Sequence, residues 1–192
     1  MISAHPSRRV ILATFLALPG LAACGSTPSP RLFMLTPQPS TATSNVAQTI
    51  VVRRVAVAKY LDRSQIVRYR DQYELTYSEF MLWGEGLIDM ITRVLVANLS
   101  ARMPRSQVYA ASGPLTGPSA DITIEINIDK FDPDPNGTIV LAGQWIAHRR
   151  DKADPLHSDR IEVAPASNDT TGQVAAMSDA LGRLSDKIAL GL

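Results

Sequence analysis

The sequence predicts a single α+β domain behind an export leader and a tether, with a largely antiparallel or mixed sheet carrying two helices on one face. Three observations predict it. Residues 122–129 alternate isoleucine with polar residues, the period of a half-buried strand. Two later stretches carry apolar residues at three- and four-residue steps, the period of a helix. The order is strands, helix, strands, helix, rather than a regular βαβ repeat, and this favours α+β over a doubly wound sheet.

Residues 1–23 read as a signal peptide: Arg8 and Arg9, an apolar run over residues 10–18, then Pro19-Gly20 and small residues. A run of nine residues makes a helix of only about 14 Å, too short to cross a bilayer. The run ends in Leu21-Ala22-Ala23-Cys24, and Cys24 is the one cysteine among 192 residues. This resembles the lipobox of bacterial lipoproteins, which implies a diacylglycerol on the Cys24 sulfur and cleavage before it. The covalent lipid is the only prosthetic group expected. Gly25 is not the aspartate that retains such proteins at the inner membrane in enterobacteria, so the expected location is the periplasmic face of the outer membrane.

Removing the 23 residues before Cys24 leaves 169, the size of one ordinary domain. Losing Arg8 and Arg9 leaves 17 basic against 18 acidic side chains, which gives no electrostatic case for nucleic acid. Residues 24–30 are rich in serine, proline and glycine and read as the lipidated end and tether, with the domain over residues 31–192.

Within the domain, residues 32–35 predict a short strand and residues 37–48 a loop. Residues 50–58 are dense in β-branched side chains and predict one strand, and residues 66–69 and 72–76 predict a partly exposed hairpin turning at Arg70-Asp71. A long helix is expected from Ser78 as cap to Met103 before Pro104, with Gly84 and Gly86 weakening its first turns so that regular helix starts nearer Leu87. Trp83 and Phe80 are expected in the core, with a subunit interface as the alternative, and Asp89 and Arg93 are spaced to pair. Strands follow over residues 106–110, 122–129, 138–149 and 156–163, with a turn at residues 132–137. A closing helix over residues 171–192 carries Val174, Met177, Leu181, Leu184 and Ile188 as its stripe.

Residues of catalytic type form no recognisable constellation. His148 and His157 fall on neighbouring strands with Asp151, Asp154 and Asp159 nearby, but without metal-ligand spacing, so no metal is expected. No glycine-rich phosphate loop or GxSxG elbow is present, and no nucleophile is paired with a base, so no enzyme activity is expected.

Four stretches in order after Cys24 carry the strongest resemblance: Leu32-Phe33-Met34-Leu35-Thr36-Pro37, Tyr60-Leu61-Asp62-Arg63-Ser64-Gln65-Ile66-Val67, Trp83-Gly84-Glu85-Gly86-Leu87, and Arg93-Val94-Leu95 with Asn98-Leu99. Together they resemble the ABC-type transport auxiliary lipoprotein family. Arg31-Leu32-Phe33 departs from it where tyrosines are usual, as does Gly86. The resemblance implies a docking lipoprotein that works with an MCE-domain periplasmic protein and, through it, an inner-membrane transporter moving lipids between membranes, with several copies forming a ring. A stand-alone lipid carrier is the alternative, which would need an interior pocket instead of a filled core. The residues expected to contact a partner are Tyr60, Leu61, Asp62, Arg63 and Gln65, on a segment between two strands; the same segment also suits a loop packed back on the sheet.

Overall fold

The computed structural model describes residues 28–192 except 42, 46, 113–116, 118, 151 and 153. Cys24 and the leader lie outside the described residues. The elements run β1 Arg31–Phe33, β2 Thr49–Val52, β3 Ala56–Val57, β4 Gln65–Tyr69, β5 Leu75–Trp83, α1 Leu87–Arg102, β6 Gln107–Ala110, β7 Ile122–Pro133, β8 Ile139–Arg149, β9 His157–Val163 and α2 Thr170–Gly191. This is the expected α+β order.

The strands divide into two sheets, a partition the sequence reading lacked. The larger has the order β6-β2-β7-β8-β9, with β3 also on β7; the smaller is β1-β5-β4. β7, β8 and β9 are antiparallel neighbours, whereas β2 runs parallel to both β6 and β7, and β1 runs parallel to β5. Helix α2 packs across β7, β8 and β9, and α1 packs on α2 and β6.

Side-chain period places the core. Ile122, Ile124, Ile126 and Ile128 all point inward from β7 while Asn127 and Asp129 face water. The α2 stripe buries Val174, Met177, Leu181, Leu184 and Ile188 as expected, and Gly182, Ser178 and Ser185 between them let neighbouring backbone come close. A Cβ on Gly182 would lie 2.9 Å from Cβ of Gln38. Asp169 caps α2 by accepting the Gly172 N–H at 2.8 Å.

Three local expectations fail and a fourth holds only in part. Residues 50–58 are not one regular strand: the register on β7 shifts by one between Val52 opposite Ile124 and Ala56 opposite Asn127. This bulge leaves Arg53 and Arg54 in water and turns Val55 into the core, where its N–H donates to the Thr92 hydroxyl at 3.3 Å. Ser78 does not cap α1, because residues 78–83 belong to strand β5 and the helix begins at Leu87 after Gly86, with no side-chain cap. Asp89 and Arg93 do not pair: Arg93 binds Glu85, and Asp89 lies 3.4 Å from Arg54. Trp83 is in the core, but Phe80 is only half-buried.

The segment leaving β1 is strapped across both helices. Leu35 is buried, the Thr36 N–H donates to Ser178 Oγ at 3.2 Å, and the Gln38 N–H donates to Asn98 Oδ1 at 2.8 Å. Arg102 gathers the rest: its fully buried guanidinium donates to the carbonyls of Gln38, Asn98 and Gly182 and to the Asp186 carboxylate.

Candidate functional site

The stretches that carry the resemblance, distant in sequence, meet at one end of β5. The Trp83 N–H donates to the Ser64 carbonyl at 2.8 Å, the Gly84 N–H to the Phe33 carbonyl at 2.9 Å, and the Leu35 N–H lies 3.1 Å from the Met90 sulfur of α1. Gly84 sits against Met34, whose sulfur would be 2.6 Å from an added Cβ, so this crossing is tight.

Between the loop after β3 and the turn into α1 lies an open groove of about 440 Å³, lined by Asp62, Arg63 and Ser64 on one side and by Trp83, Glu85, Gly86 and Leu87 on the other. Two of its charges are fixed by neighbours. Arg63 stacks its guanidinium 4.3 Å from the Tyr77 ring centroid, and Glu85 accepts both Nε and Nη2 of Arg93. Gly86 starts α1 without a capping side chain, so the first helical N–H groups border this groove.

Of the expected contact residues, Asp62 and Arg63 line the groove. Tyr60 and Leu61 instead pack back on the domain, the other fate open to that loop. Leu61 is 2% exposed, and the Tyr60 hydroxyl donates to the buried Asp132 carboxylate. Burial first, then the Asp132 hydrogen bond and its negative charge, push the Tyr60 phenol well above its ordinary range. Lys130 completes this brace, binding Asp132 and lying 4.3 Å from the Tyr69 ring centroid. Gln65 starts β4, half-buried opposite Leu82. Glu85, which also lines the groove, was not among the expected residues, though the two glycines beside Trp83 already marked a break where backbone turns to the surface.

The histidines do not converge. His148 lies 3.5 Å from Glu125, whereas His157 stacks on Trp145 with centroids 4.0 Å apart. Asp154 is paired with Arg149, Asp159 accepts the Trp145 indole N–H, and Asp151 lies outside the described residues. Among the described residues, no three metal-ligating side chains cluster. A second open groove, about 470 Å³, runs over the outer face of β7 and β8 beside the Arg53–Glu125 ion pair. The space beneath it, between Ile126, Leu141, Trp145 and Leu184, is filled, with about 0 Å³ left. None of the described helices is long and apolar enough to cross a membrane.

Comparison with known proteins agrees with this arrangement. Residues 33–189 match the family model described as the ABC-type transport auxiliary lipoprotein component. The intermembrane transport lipoproteins PqiC of Escherichia coli (strain K12) and of Shigella flexneri are each 27% identical over 143 residues, spanning 72% of this chain and 74% of theirs. A crystal structure of an uncharacterized protein superposes with a TM-score of 0.71 at 22% identity, over 85% of this chain and 98% of that one. A Xanthomonas campestris protein superposes with a TM-score of 0.63 at 20% identity, over 82% and 92%. Both structures share the fold.

Proposed function

This chain belongs to the ABC-type transport auxiliary lipoprotein family, and from that premise we propose that it is the docking component of an intermembrane lipid transport system at the outer membrane. Cys24 carries the lipid, and the domain faces the periplasm. Its partner is an MCE-domain periplasmic protein, through which it meets an inner-membrane transporter. Several copies assemble around that partner as a ring. The protein contributes a surface and no reaction.

One observation carries the reading: the loop with Asp62 and Arg63 and the turn with Glu85, far apart in sequence, form opposite walls of the 440 Å³ groove. A rigid groove with one cation held on an aromatic ring and one carboxylate held by Arg93 suits a polar protein partner. The filled interior beneath β7 and β8 supports docking over the stand-alone carrier.

The test is affinity capture of the tagged full-length protein from detergent-solubilised envelopes, with Cys24→Ala and Arg63→Glu as variants. The expected result is recovery of an MCE-domain protein with the wild type and its loss with Arg63→Glu. Recovery of abundant phospholipid and no such partner would support the carrier instead.

A further inference from the structure

Strand β5 runs on past the core, and its far end carries apolar side chains that stay exposed, although Arg63 lies over one face of the Tyr77 ring. Leu75 and Tyr77, two apart, share a face of β5 on the hairpin side of the register shift that separates them from Trp83. Tyr77 is half exposed, Leu75 is exposed, and Tyr73 in the turn is 89% exposed. This tip is built, not frayed. The Asp71 carboxylate accepts the N–H groups of Tyr73 and Glu74 at 2.7 and 2.9 Å, and the Arg70 N–H donates to the Glu74 carbonyl at 2.9 Å.

The chain itself indicates what covers the tip. Arg31 is the β1 partner of Met81, with the strands parallel, so the direction from Arg31 back toward the N-terminus is also the direction along β5 toward Leu75. Six residues of β5, with the register shift among them, separate Met81 from Leu75, at most about 20 Å at ~3.3 Å per residue. Seven residues separate Arg31 from Cys24, a reach of up to ~23–25 Å. A lipid on Cys24 is therefore within range of the hairpin tip, while the groove opens at the Trp83 end of β5, with Arg63 reaching back only as far as Tyr77. Tyrosine with a leucine beside it is the side-chain chemistry enriched where protein meets lipid headgroups.

We propose that the β4–β5 hairpin tip, through Tyr73 and Leu75, rests in the headgroup layer of the membrane that holds the Cys24 lipid, orienting the groove away from that membrane. This rests on the lipid-anchor reading of Cys24. The tip acts as a second membrane signal beside the acyl chains, fixing orientation where a flexible tether alone would leave it free.

The experiment uses the full-length lipidated protein in vesicles of phosphatidylethanolamine and phosphatidylglycerol. An environment-sensitive dye is placed through Tyr73→Cys or, as the distal control, Asp62→Cys, and quenching by lipid-borne quenchers is read. The mass of the N-terminal peptide reports the lipid on Cys24 independently. The expected result is a blue-shifted dye at position 73 that loses most of its emission, and an unquenched dye at position 62. Lipid present with equal quenching at the two positions, or none at 73, overturns the proposal and leaves the docking reading standing. Absence of lipid on Cys24 overturns it together with the anchor.

Discussion

Replacing Arg102 by alanine removes a side chain that is 1% exposed and donates to four oxygens on three segments: Asp186 Oδ1, and the carbonyls of Gln38, Asn98 and Gly182 at 3.3, 3.1 and 3.0 Å. The Asn98 and Gly182 carbonyls lie within helices and keep their backbone partners, and Asp186 is one-third exposed and retains the Ser40 hydroxyl. The loss is thus smaller than for a fully buried pair stripped of one partner, ~3–5 kcal/mol. Four net hydrogen bonds from a charged donor, discounted for those remaining partners, and a cavity the size of the lost side chain amount to about 3 kcal/mol. For a domain of this size that is a fall of roughly 6–12 °C in Tm. Urea titration followed by Trp83 and Trp145 fluorescence should show a lower midpoint with an unchanged slope. Amide exchange should accelerate first at Thr36 and Gln38, in the strap that Arg102 holds. A cost below about 1 kcal/mol would refute the assignment of Arg102 as the clamp between strap and helices.

Tyr60→Phe leaves the buried Asp132 with only Lys130 as side-chain partner and should cost about 1–2 kcal/mol by urea titration; an unchanged midpoint would show that the brace does not hold the loop. Gly143→Ala would set a Cβ 2.2 Å from the Asn127 carbonyl oxygen and 3.0 Å from Ile128 Cα, beside the β7 bulge, and should cost about 2 kcal/mol because backbone must move. Asp159 titrates below its ordinary 3.8: burial raises it, but the Lys187 and Trp145 hydrogen bonds and the charges of Lys187 and His157 outweigh that. Its folded value is below its unfolded one, so its stabilisation is complete above the ordinary value and is lost as pH falls through the depressed one. Asp159→Asn should therefore cost about 1 kcal/mol at neutral pH and progressively less as pH falls below about 4, read as urea midpoints across pH.

Elements set by their own period were legible in the sequence. The isoleucine alternation of β7 and the α2 stripe needed no tertiary knowledge, because one buried face writes its pattern locally. Residues 78–83 were misread as helix because Phe80, Met81, Leu82 and Trp83 form a short apolar run, which fits either state. Their pairing with β1, about fifty residues away, decides for strand. The break at Gly84 and Gly86 was the local sign of that boundary. Arg53-Arg54 inside an apolar strand likewise marked the bulge, since two adjacent side chains cannot both face water in a regular strand. For the candidate site, Asp62 and Arg63 were legible as loop residues, whereas the inward turn of Tyr60 depends on Asp132, seventy-two positions away. Glu85 joined the groove only once β1, β4 and β5 were assembled.

The most direct test of the docking account is photocross-linking in intact cells, with a photoreactive residue at Asp62 in the groove and, separately, at Asp179 on the exposed side of α2. The account predicts that position 62 captures an MCE-domain protein and position 179 does not. Capture at neither position, or equally at both, would contradict it.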